Sequence, residues 1–142
     1  MAMTPAQFVL AVERAFTPLA DVPRAHAMRA YLLNQFEFLG LQAPVRRQAV
    51  RGIGKVQWQS AQDLLAAAEL LWHKPQREFR YTAIDLLRKH SDLLSVSDLP
   101  KLLELLLRDA WWETVDGLSA VIAAVLRQAV LEKPNAASVM DA

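Results

Sequence analysis

The chain has 142 residues, 54% of them hydrophobic and 22% charged, with a formal net charge of +1. That balance excludes a disordered chain, which combines low hydrophobicity with high net charge, and it allows one compact domain with a real core. There is no cysteine and there are three scattered histidines, which excludes a disulfide framework and argues against a zinc site, while the near-neutral charge means that any case for a nucleic-acid partner must come from where the charges sit.

Leu and Ala dominate, and no segment shows the alternating β-branched pattern of strands, so helix is expected throughout. The N-terminus has no basic segment leading into an apolar one. No secretory leader is therefore expected, and a cytoplasmic location of bacterial type is the default. Thr4 can cap a first helix with Pro5 at its first position, running to about Phe16 with Phe8, Ala11, Val12 and Ala15 on one face. Asp21 can cap a second helix carrying Met28, Tyr31, Leu32 and Gln35, and residues 36–41 then turn the chain. Pro44 opens a third helix with Arg46, Arg47 and Arg51, which stops near Gly52 and Gly54. Ser60 caps a fourth over residues 61–73, and Pro75 starts a fifth that reaches His90. A sixth is expected around Asp98 to Arg108, a seventh from Trp112 to Glu132, and Pro134 would start another. The richest apolar stretch, residues 115–130, is broken by Asp116, Gly117 and Arg127, so no run reaches the roughly 18 to 20 residues of a membrane span.

Helices joined by short polar turns suggest antiparallel neighbours. The spacing of paired helices is close to the roughly 40-residue period of HEAT repeats. The expected fold is all-α, a stacked helical-repeat array forming one domain over residues 1–142; an orthogonal helical bundle is the alternative. The last helix begins without finishing, and a solenoid needs a polar cap on its final repeat. The chain is therefore expected to be an N-terminal part, truncated on its C-terminal side.

Trp112 and Asp116 are four apart, so an indole and a carboxylate share one helix face. A purely structural reading has Trp111 in the core, Trp112 partly exposed, and Asp116 as a first-turn acid favoured by the helix dipole. Tyr31 reads equally as a core-edge tyrosine with its hydroxyl in water. Arg47, Arg51 and Lys55 fall at spacings of four, with Arg46 beside them; they could hold phosphates or form a solvated face. Glu78 and Asp85, seven apart, share a face and could form an acid pair, but are rather expected to pair with Arg77, Arg88 and Lys89 on the surface, or to cap turns. His73 and His90 lie near helix C-termini. No Ser-His-Asp set, Gly-rich phosphate loop or metal-spaced cluster is present.

Three ordered blocks carry a resemblance. They are Tyr31-Leu32-Leu33-Asn34-Gln35-Phe36-Glu37-Phe38-Leu39-Gly40-Leu41-Gln42-Ala43-Pro44-Val45-Arg46-Arg47, then Leu71-Trp72-His73-Lys74-Pro75-Gln76-Arg77-Glu78-Phe79-Arg80-Tyr81-Thr82-Ala83-Ile84-Asp85, then Trp111-Trp112-Glu113-Thr114-Val115-Asp116. Together the chain resembles the AlkD-like DNA alkylation repair family over nearly its whole length. The resemblance implies a superhelix of HEAT-like repeats, duplex DNA with alkylated purines as partner, and hydrolysis of the N-glycosidic bond of N3- and N7-alkylated purines. It implies no cofactor, metal or membrane, and use at the bacterial nucleoid. Carried over, the catalytic carboxylate falls on Asp116 and the indole beside the lesion's sugar on Trp112. Tyr31 and Gln42 match positions near DNA; Arg46, Arg47, Arg51 and Lys55 are the expected phosphate contacts. Family members continue with further repeats that supply another tryptophan and phosphate-gripping arginines, so catalysis is expected of the full-length parent. A non-catalytic helical-repeat module that binds DNA or protein is the second reading.

Overall fold

A computed structural model describes residues 3–132 of the chain. Among them are seven α-helices and no strand, so the all-α expectation holds. Glu37 and Gln76 form an isolated parallel bridge. The helix expected from Pro134 lies outside the described residues. The chain divides into two compact units, Met1–Ala83 and Ile84–Ala142.

The first unit holds α1 (Pro5–Phe16), α2 (Val22–Tyr31), α3 (Ala43–Gly52), α4 (Ala61–Trp72) and the first half of α5 (Arg77–Lys89). The caps fall where the short polar residues stand. Thr4 and Gln7 form a reciprocal capping box at 3.1 and 3.0 Å, Asp21 accepts from the Arg24 amide, and Ser60 accepts from the Asp63 amide. The face of α1 bearing Phe8, Val9, Val12 and Phe16 is buried, and α1 packs on α4 and α3. Phe16 and Phe79 rings lie 5.4 Å apart, and Phe8 meets Trp58 edge-on at 5.2 Å. Trp72 and Phe79 are buried at 0% and 3% exposure, as their place in the apolar pattern requires.

Two boundaries differ from the sequence reading. The second helix ends at Tyr31, because Leu33 and Asn34 take positive φ of 57° and 59°. The fifth starts at Arg77 rather than Pro75, because the Arg77 amide donates to the Glu37 carbonyl at 2.9 Å beside the Glu37–Gln76 bridge.

The 32–42 connection is pinned by a clasp that crosses almost forty residues. Glu78 is fully buried, not a surface acid. Its carboxylate accepts from the amides of Leu39 (3.0 Å to each oxygen), Gly40 (2.8 Å) and Leu41 (3.1 Å). Successive amides turned to one oxygen form an anion-binding nest, here filled by the chain's own carboxylate. Gly40 is required in it: φ is +98°, and a Cβ there would stand 2.1 Å from the Asp21 carbonyl. The Asp21 amide donates in turn to the Leu39 carbonyl at 2.9 Å. Arg77, also buried, stacks its guanidinium 3.6 Å from the Phe36 ring centroid. One turn of α5 thus fixes the start of α2 and the approach to α3.

The second unit contains the rest of α5, α6 (Leu99–Leu107) and α7 (Trp112–Glu132), with α6 packed on α7. Leu102, Leu105, Leu118, Val121 and Val125 form its core. Gly117 lets α7 lie close to α5, since a Cβ there would touch two Ile84 carbons at 3.1 Å. The membrane expectation needs a correction. The span Trp112–Leu131 is long and apolar enough to cross a bilayer by length and composition, with mean hydropathy 1.5, because its scattered polar residues do not offset so many Leu, Val and Ala. Its buried stripe of Leu118, Val121 and Val125, at spacings of three and four, is that of a helix packed on one side.

Burial, with the neighbouring Lys89 charge second, lowers the pKa of His90 below 6.5 against the opposing pull of Asp92. Below pH 6.5 the unfolded chain therefore binds the proton more readily than the folded one. Stability is expected to fall as pH drops from 6.5 towards the lowered value, and no further below it. Urea midpoints across mildly acidic pH should fall less in His90→Gln than in the wild type.

Candidate functional site

In the second unit, Trp111 caps α7 from just outside. Its amide donates to the Thr114 hydroxyl at 3.4 Å, that hydroxyl donates back to the Trp111 carbonyl at 3.2 Å, and the Val115 amide donates to the same carbonyl at 3.0 Å. Thr114 is buried, which fixes the rotation of the helix about its axis. Trp112 and Asp116 then fall together on the outer side of the first two turns; both are exposed, Trp112 by 53%. Close packing of Gly117 on Ile84 sets how far that turn stands from α5. Among the described residues no side chain hydrogen-bonds or ion-pairs with the Asp116 carboxylate. It is an exposed carboxylate on the same helix face as Trp112, which can meet a cation that arrives with a ligand.

In the first unit, Tyr31 is the last residue of α2 and is 72% exposed. Gln42 is the N-cap of α3, exposed, with no side-chain capping bond. The basic group divides. Arg46 is only 4% exposed, with its guanidinium carbon 5.9 Å from the Tyr81 ring, and Tyr81 in turn lies 6.4 Å from Phe38. It shares the inward stripe of α3 with Ala43, Val50 and Ile53, and this inward side removes it from the surface where a phosphate contact was expected. Arg47 and Arg51, one turn apart on the outer side, are exposed. Lys55 is exposed too, but α3 stops at Gly52 and Gly54 turns the chain with φ 104°, so Lys55 is not in helical register with the two arginines.

Two features escaped the sequence reading. Glu78 reads as a helix-surface acid, and only its partners at residues 39–41 reveal it as the anchor of the connection between Tyr31 and Gln42. Arg24 stands seven residues before Tyr31, on the same exposed side of α2. Its spacing was the available signal. Among the described residues no group of three or more His, Asp or Glu is placed to hold a metal ion.

A family model described as DNA alkylation repair enzyme matches residues 12–142. No curated protein matches the chain. The match runs through α2, α3, α5 and the start of α7, where all the residues above are carried, and covers well over half of the sequence: the chain belongs to the DNA alkylation repair enzyme family, and so to DNA repair.

Proposed function

We propose that the repair reaction is excision of N3- or N7-alkylated purines from duplex DNA, with Asp116 as the catalytic carboxylate and Trp112 beside it. The exposed Trp112–Asp116 pair on the first turns of α7 carries this reading. Alkylation at N3 or N7 gives the purine a positive charge. When the bond from C1′ to the base nitrogen breaks, its electron pair goes to the base, which leaves neutral. No acid has to protonate it, so one carboxyl suffices. Positive charge develops on the sugar as an oxocarbenium ion, and a carboxylate close to C1′ stabilises it. Water then bonds to C1′ and loses its proton to Asp116 or to solvent. The indole face of Trp112 adds cation–π attraction for the same charge.

Tyr31, Gln42, Arg47, Arg51 and Lys55 would supply duplex contacts in this reading, with Arg46 supporting α3 from within. Binding without sequence preference then rests on phosphates. Charge reversal of Arg47 and Arg51 together should weaken duplex binding and flatten its salt dependence by about 0.9 in slope for each phosphate no longer neutralised. Unchanged affinity and slope would show that these arginines face only water. The reaction itself is tested by release of free 7-methylguanine from alkylated duplex DNA, with unmodified duplex as control. Duplex binding without any base release would favour a non-catalytic DNA-binding module.

A further inference from the structure

The end of α2 is strained where it need not be. The Asn34 amide donates to the Arg29 carbonyl at 2.8 Å and the Leu33 amide to the Ala30 carbonyl at 3.0 Å. These are the two bonds of a Schellman cap, whose residue just past the helix takes the left-handed conformation and is usually glycine. Here that residue is Leu33, at φ 57°. Leucine in this region strains its Cβ against the backbone, whereas the following Asn34, at 59°, belongs to a type that tolerates it. Burial does not offset the strain: Leu33 is 70% exposed, while its neighbour Leu32 is 3% exposed. Nothing in the packing of the first unit asks for a leucine side chain there.

The surroundings identify what would. Tyr31, two residues earlier, is equally open. The α2 sequence carries Arg24, His26 and Arg29 and no acid; Arg29 lies 3.7 Å from Glu37, and Arg24 shares the Tyr31 side. A cationic helix ending in an outward apolar tip complements a groove of duplex DNA, where apolar sugar edges run between phosphates.

We infer that Leu33 is a DNA-binding residue whose side chain packs against the deoxyribose wall of a duplex groove beside Tyr31. The inference rests on the reading of Tyr31 as a DNA contact. Every nucleotide offers the same sugar surface, so the contact carries no sequence preference. The strain is held in the free protein and the side chain is used only in the complex.

Leu33→Gly separates this role from a structural one, because glycine relaxes the cap while deleting the side chain. Binding is followed by fluorescence anisotropy with a short fluorescein-labelled unmodified duplex, across salt concentrations, beside thermal unfolding. Affinity should fall about three- to tenfold, the effect of losing partial burial of one leucine. The salt slope should not change, since every phosphate keeps its cationic partner. The thermal midpoint should stay or rise. Leu33→Asn, which also tolerates the left-handed region, should behave in the same way. If both variants bind like the wild type while reversal of Arg47 and Arg51 weakens binding, Leu33 does not touch DNA and the DNA-facing arginines stand. If none of the three weakens binding, the duplex-facing reading of this unit falls as well. A midpoint that drops together with affinity makes Leu33 a structural residue and overturns the inference.

Discussion

Glu78→Ala is expected to destabilise the folded protein by about 3 to 5 kcal/mol, a large share of the roughly 5 to 15 kcal/mol that holds a domain together. The carboxylate receives three amides, and its bonds from Gly40 and Leu41 are buried. Removing it leaves donors without an acceptor, and each buried unmet donor costs about 1 to 3 kcal/mol. The loss falls on one clasp rather than on three independent bonds, so the sum is less than additive. Glu78→Gln keeps a carbonyl oxygen for the Gly40 and Leu41 amides but turns an NH2 towards the Leu39 amide. It should lose about half as much as alanine. Urea unfolding followed by circular dichroism gives both values. A loss below about 1 kcal/mol for Glu78→Ala would mean that the 39–41 amides find other acceptors and that the connection between α2 and α3 does not depend on α5.

Much of the helical frame was legible because it is local. Thr4, Asp21 and Ser60 cap helices through bonds that span three residues, and the stripes of α1 and α7 repeat every three or four. The Trp112–Asp116 pairing belongs to the same class, which is why spacing alone placed both on one face of α7, and the structure turns that face outward. What escaped is set by partners far away in sequence. Glu78 and Arg46 are charged, and charge favours a surface assignment until the burial of each is seen: Glu78 among amides some forty residues earlier, Arg46 over Tyr81. The later start of α5, at Arg77, has the same origin in its bond to Glu37. Lys55 shows the converse limit, since a spacing of four has no meaning once Gly54 has ended the helix. Leu33 could not be anticipated at all: the sequence shows no glycine after α2 to mark a left-handed cap, and a leucine takes its place at a cost in strain.

Asp116→Asn should remove most excision of 7-methylguanine while leaving duplex binding nearly intact. The substitution keeps size and shape and deletes the negative charge. Asp116 is exposed and draws no partner from the described residues, so its loss should unsettle neither α7 nor the packing of Gly117 on Ile84. The positive charge that develops at the sugar in the transition state responds most to the change, because a carboxylate close to C1′ is aimed at that charge. Removal of one preorganised electrostatic group commonly costs about 3 to 4 kcal/mol, or about a 10²- to 10³-fold loss of rate. That loss should appear in single-turnover excision, not in affinity, because removing a group used only in the transition state slows the chemical step with little effect on ground-state binding. Trp112→Ala should cost less, about three- to thirtyfold, because cation–π attraction is worth about 0.5 to 2 kcal/mol. Less labile or uncharged lesions should suffer more from Asp116→Asn than the cationic ones, whose leaving group already carries the charge that weakens the bond. Excision at the wild-type rate in Asp116→Asn would remove the carboxylate from the mechanism. Weaker binding with an unchanged rate would instead place its role in holding the duplex, and the catalytic charge would have to be sought elsewhere.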